Sequence, residues 1–116
     1  MTSRIPSVAG PAASETALTD GATITPDFSA ANNFSVTLGG NRTLANPTNL
    51  TAGQHGVIVI TQDGTGSRTL AYGSKFKWPG GVAPTLTTTA NATDFISAQY
   101  FSDTDTLLCS ALKAFA

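Results

Sequence analysis

Residues 55–73 read HGVIVITQDGTGSRTLAYG, and the apolar block inside them leaves the backbone little choice. Val57, Ile58, Val59 and Ile60 are all β-branched, which stiffens χ1 and favours a strand. Because apolar side chains fall on both faces, the block predicts a central strand covered on both sides. Asp63-Gly64 tolerates the positive φ of tight turns, so 63–67 predicts a hairpin connection and Arg68–Gly73 its return strand.

The same logic extends outward. Phe34, Val36 and Leu38 alternate with Ser35 and Thr37, a half-buried strand, and GGN at 39–41 turns it into Arg42-Thr43-Leu44. Towards the C-terminus, a polar connection over 80–94 leads into FISAQYF and then TLLCSALKAF, paired across SDTD. Ile96, Ala98 and Tyr100 share one face of the first of these, with Phe95 and Phe101 on the other. Short strands at regular spacing with Gly, Asn and Asp turns predict an all-β fold, a small antiparallel β-sandwich or barrel-like domain over 33–116. No internal repeat is evident. Residues 1–32 are rich in Ala, Ser, Thr and Pro, and Pro6, Pro11 and Pro26 favour extended backbone. They predict an extended N-terminal arm, mobile in solution and dispensable for folding.

Composition excludes several functions. The 116 residues suit one domain. Only 11% are charged, against about 25% in a typical soluble domain, so much of the surface is expected to be covered by partners. A net charge of −1 offers no field for nucleic acid or a membrane surface. No apolar run approaches the roughly 20 residues of a membrane-spanning helix, and the N-terminus lacks the apolar core of a secretion signal.

Catalytic chemistry finds few carriers. The one histidine, His55, stands at a strand start, and no G-x-S-x-G elbow accompanies it. The one cysteine, Cys109, shares a face with Leu107 and Ala111 and reads as a small buried hydrophobe. Asp63, Asp103 and Asp105 sit in turns, where carboxylates cap backbone N–H groups. Asp103 and Asp105 leave a bound ion open, although the ligand spacing of an EF-hand is missing. DGTGS lacks the lysine and the helix of a phosphate loop. The sequence therefore predicts no enzyme and no cofactor.

In residues 68–81, RTLAYGSKFKWPGG, Lys75 and Lys77 share one face while Phe76 and Trp78 share the other. That alternation is a strand with an apolar inner face, in preference to a base-stacking surface for single strands. Phe76, Trp78 and Tyr100 are the expected subunit-interface residues.

From Phe34 onward, the turns GGNRTLANP, QDGTGSRTL and APTLTTTANATD resemble a module recurring in structural proteins of tailed bacteriophages. The resemblance implies a virion protein assembled in the bacterial host cytoplasm. With only an arm before the module, it implies first a capsid decoration (cement) protein, a homotrimer on the major capsid protein. Ile5, Val8, Leu18, Ile24 and Phe28 of the arm would then lie along neighbouring subunits. The alternative is a tail-fibre or baseplate adaptor, or a receptor-binding module of the tail.

Overall fold

The protein is seen in a computed structural model that describes residues 14–116. Nine strands run β1 (Glu15–Ala17), β2 (Thr23–Ile24), β3 (Asn33–Leu38), β4 (Arg42–Leu44), β5 (His55–Gln62), β6 (Leu70–Tyr72), β7 (Phe76–Lys77), β8 (Thr93–Phe101) and β9 (Thr106–Phe115). The all-β expectation holds. The pairing is mixed rather than purely antiparallel: among the described residues only β5–β8 and β8–β9 run antiparallel.

The parallel pairs have one origin, which is that the chain winds. β1, β3 and β5 lie side by side with Glu15 beside Asn33 and Asn33 beside Val57. β2, β4 and β6 do the same, with Ile24 beside Leu44 and Leu44 beside Tyr72. A bridge between Asp27 and Thr48 repeats the step on a third side. Residues 15–32, 33–54 and 55–75 are thus three stacked coils, a structural repeat with no matching repeat of residue types. β8 and β9 then extend the first sheet, and β7 closes its far edge beside β9, giving the order β1-β3-β5-β8-β9-β7 against the smaller sheet β2-β4-β6.

Two hairpin expectations change accordingly. β3 and β4 lie in different sheets, as do β5 and β6. GGN and DGTGS are therefore corners between sheets, not hairpin turns. At the second corner Gly66 adopts φ +74°, and a Cβ there would approach the Thr88 carbonyl to 2.6 Å. Asp63 accepts the N–H groups of Thr65 and Gly66, and Arg68 donates to both carboxylate oxygens at 3.2 and 2.9 Å.

The core lies between the sheets. Phe34, Val36 and Leu38 of β3 rest beside Ile58, Ile60 and Gln62 of β5, and Ile58 beside Ile96 of β8. The one amide among them is fully engaged. Gln62 accepts the Arg68 N–H and donates to the carbonyls of Arg68 and Thr87. Buried Asp94 accepts the N–H groups of Thr87 and Ala114. Together these side chains fasten the connection over 82–92, whose backbone has no ladder to join.

The largest departure from the sequence reading concerns the arm. Ile24 is 1% exposed and Phe28 3%, and both belong to the core. Phe28 stacks on Phe34 with ring centroids 5.3 Å apart. A Cβ on Gly56 would come within 2.8 Å of that ring, so glycine makes room for it. Asp20 binds Arg42 across the first corner at 2.8 and 2.9 Å. Residues 14–32 are the first coil of the domain. Proline-rich, aperiodic sequence concealed this, because a coil needs only two or three inward side chains and turns that proline tolerates.

Phe28→Ala should therefore cost about 3–5 kcal/mol, the range for removing a buried aromatic ring, measured by urea unfolding. Deletion of residues 1–32 should abolish cooperative unfolding, and a truncated chain with a native-like transition would contradict the coil assignment. Asp63 adds a pH test. The Arg68 hydrogen bond, then the Gly66 N–H, hold its carboxyl down from 3.8 to about 2. A carboxylate depressed in the folded state stabilises fully above its unfolded value and loses that contribution as pH falls. Between about pH 4 and pH 2, Asp63→Asn should lose stability less steeply than the parent. Equal slopes would show that the pair contributes nothing.

Candidate functional site

Side chains alternate across a strand, so every inward residue of the six-stranded sheet has an outward neighbour. The outward set forms rows across the strands. Ser35, Val59, Phe95 and Leu112 make one row, and Asn33, Val57, Ser97 and Ser110 the next. His55, Gln99 and Leu108 make a third, and Thr61, Thr93 and Phe115 a fourth. An irregularity in β9 opposite Asp94, with Ala114 at φ +66°, brings Phe115 into line with Thr93.

This outer face is apolar and largely uncovered. Leu112 is 63% exposed, Leu108 53%, Phe115 50% and Phe101 48%, while Val57, Val59 and Phe95 are half-buried. No charged side chain of β3, β5 or β8 joins these rows, and Lys113 of β9 turns to the Thr85 carbonyl. Charge stands at the margins, with Glu15 beside Asn33 on β1 and Lys77 beside Leu108 on β7. The expectation that β5 is covered on both sides holds only for its inner face, Ile58 and Ile60.

At the centre of the face three polar side chains form a chain. Ser97 Oγ lies 3.1 Å from His55 Nε2, and His55 Nδ1 lies 3.2 Å from Gln99 Oε1. Gln99 donates its amide to the Gly53 carbonyl at 2.8 Å. The order serine–imidazole–acceptor is that of a nucleophile and its base. Its third member is a neutral amide, which cannot stabilise an imidazolium as a carboxylate does. The backbone around Ser97 is engaged in the β5–β8 and β8–β9 ladders, so its N–H groups there are given to neighbouring strands.

The other candidate residues are used elsewhere. Phe76 and Tyr100 are 5% and 8% exposed, and half-buried Trp78 packs edge-on against Tyr72 at 4.9 Å. All three face the core, so the expected subunit-interface set is an internal cluster. Of the expected arm contacts, Ile24 and Phe28 are core, Leu18 packs against it, and Ile5 and Val8 lie outside the described residues. Cys109 is buried, and burial pushes its thiol up to about 11. Asp105 is taken by Lys75 and by the Tyr100 hydroxyl at 2.6 Å, and the Lys75 hydrogen bond chiefly holds its carboxyl below the ordinary range. Among the described residues no three His, Cys, Asp or Glu side chains gather as metal ligands.

Phe95 and Phe101 follow from the sequence as the second face of their strand, whereas Leu108, Leu112 and Phe115 are not among the residues it singles out. Their signal was the second apolar face of TLLCSALKAF, where Leu108 and Leu112 alternate against Leu107 and Cys109.

Residues 24–104 match the family described as "Putative phage tail fibre C-terminal domain". No curated protein and no solved structure matches the chain. The matched residues run from β2 through β8 and so take in most of the coil stack and the strand that extends it. The chain belongs to the phage tail fibre C-terminal domain family.

Proposed function

We propose that the protein is an end module of a phage tail fibre: a non-catalytic, homotrimeric part of the virion that carries no cofactor. The observation that carries this is the family match over residues 24–104. It favours the tail over the capsid-decoration reading, which rested on a 32-residue arm. Residues 14–32 are folded into the domain, so the support for an arm along capsid subunits falls away with them.

A structural role also suits the chemistry. A fibre end needs a rigid, protease-resistant surface more than a cleft. The stacked coils supply rigidity because each coil buries the inner face of the next. The low charge and the apolar outer face suit a protein that works among copies of itself.

Antibody fragments against the domain, with gold labelling of intact particles, should mark the distal tail, at a few to a few dozen copies per particle by quantitative mass spectrometry. Labelling of the head at hundreds of copies would restore the decoration reading. For the absence of catalysis, His55→Ala and Ser97→Ala should leave hydrolysis of activated esters at the level of the parent. A rate that falls in both variants with the fold intact would make the Ser97–His55 pair an active site.

A further inference from the structure

β9 lies at the margin of its sheet for most of its length. β7 pairs with it only at Leu107 and Leu108, and beyond Leu108 no described strand lies on that side. There the connection that follows β7 is tied to it by a side chain, Lys113 Nζ donating to the Thr85 carbonyl at 2.8 Å. The second half of β9 is therefore a corner of the molecule, where the outer face ends. Leu108, Ser110 and Leu112 point outward at alternate positions, about 7 Å apart at the usual rise. The irregularity at Ala114 adds Phe115 to this stripe, and Phe95 and Phe101 of β8 flank it.

We propose that this corner is a three-fold contact between copies of the chain. β9 of each copy lies along the axis, and Leu108, Ser110, Leu112 and Phe115 form successive layers of three. The stripe suits its own copies at every level. Leu108, Leu112 and Phe115 each meet like side chains and exclude water, while Ser110 both donates and accepts, so three hydroxyls around an axis satisfy one another in a ring. A corner also fits this symmetry, because each copy fills a wedge of one third of a turn. Rotation brings unlike flanks together, the β8 side of one copy against the β7 side of the next. Lys77, beside Leu108 on β7, then faces the level of neutral Gln99 on a neighbour's β8 rather than the other lysines. Glu15 and Asp20 border the hollows over β3, and β1 lies four strands from β9, about 19 Å at the usual spacing. The contact leaves those carboxylates outside it.

The area agrees. At their exposures Leu112, Leu108, Phe115 and Phe101 present on the order of 400 Å2 of apolar surface, taking roughly 200 Å2 for each full side chain. With interfaces about three-fifths apolar, a contact built on that core takes about 700 Å2 from each copy. A standard interface takes about 800 Å2 per partner. In a ring of three that area is divided between two neighbours, so a single pair is small and only the closed ring reaches standard size. Association should therefore pass from monomer to trimer without a populated dimer.

The inference rests on the homotrimer reading for the number of copies and adds which strand makes the contact. In light scattering after size exclusion, the full chain should weigh as three copies at micromolar concentration. Leu108 and Leu112 are exposed in a single chain, so Leu108→Lys and Leu112→Lys should leave its far-UV circular dichroism unchanged. Each brings three ammonium groups to the axis and should weaken association at least tenfold. Ser110→Cys, in a Cys109→Ala background, should give covalent dimers under mild oxidation, while Ser35→Cys in the same background, three strands away, should give none. Lys variants as trimeric as the parent would overturn the β9 contact and leave the homotrimer and the tail assignment standing. Weakened association with no crosslink at position 110 would overturn the axial packing. A parent that is monomeric or dimeric at micromolar concentration would overturn the contact and the homotrimer together, again leaving the tail assignment standing.

Discussion

Each coil of this protein is too thin to bury its own interior, and the rest of the structure follows from that constraint. The first coil brings Ile24 and Phe28 inward, the second Phe34, Val36, Leu38 and Leu44, the third Ile58 and Ile60. No one of these sets closes a core. Parallel register puts each set beside the next, Ile24 by Leu44 and Phe34 by Ile58, so burial is shared down the stack. The corners must then hold each coil at one height. The Asp20–Arg42 and Asp63–Arg68 pairs serve there, with Asn41 accepting the Thr69 N–H.

Once the inner faces are satisfied, the outer face is what the alternation leaves over. On β3 it is small and polar, on β5 aliphatic, on β8 and β9 large and apolar. A stack of coils alone would need no such face. The polar trio of His55, Ser97 and Gln99 sits among these residues with its hydrogen bonds made internally, so it can be covered with little loss of bonding to water.

Strand character was legible because it is local. The β-branched block 57–60 and the alternations at 34–38 and 95–101 each report their own backbone, and each is a strand. The inward placement of Ile96, Ala98 and Tyr100 could be read from the same pattern. Partner strands could not. Asp63-Gly64 is compatible with a hairpin and with a corner, and only the position of β6 beside β4 separates them. The first coil was hidden for a related reason. Ile24 and Phe28 stand among Thr, Pro and Asp in a segment without a period, and their burial depends on β4 and on Gly56, which lie well downstream. The candidate interface was missed in its particulars because Trp78 and Tyr100, the most conspicuous rings, turn inward, while ordinary leucines on β9 turn out.

The position of β9 in the chain has a consequence for synthesis. Leu108, Leu112 and Phe115 are made after β3, β5 and β8, and β9 pairs along most of its length with β8. While the ribosome is still translating the earlier strands, the exposed apolar side chains of β9 are not yet present. Nascent chains on one messenger are crowded together, and premature contact between half-made neighbours is a hazard for any sticky surface. Here three of the most exposed apolar side chains arrive last, so a half-made chain shows less apolar surface until β9 has emerged.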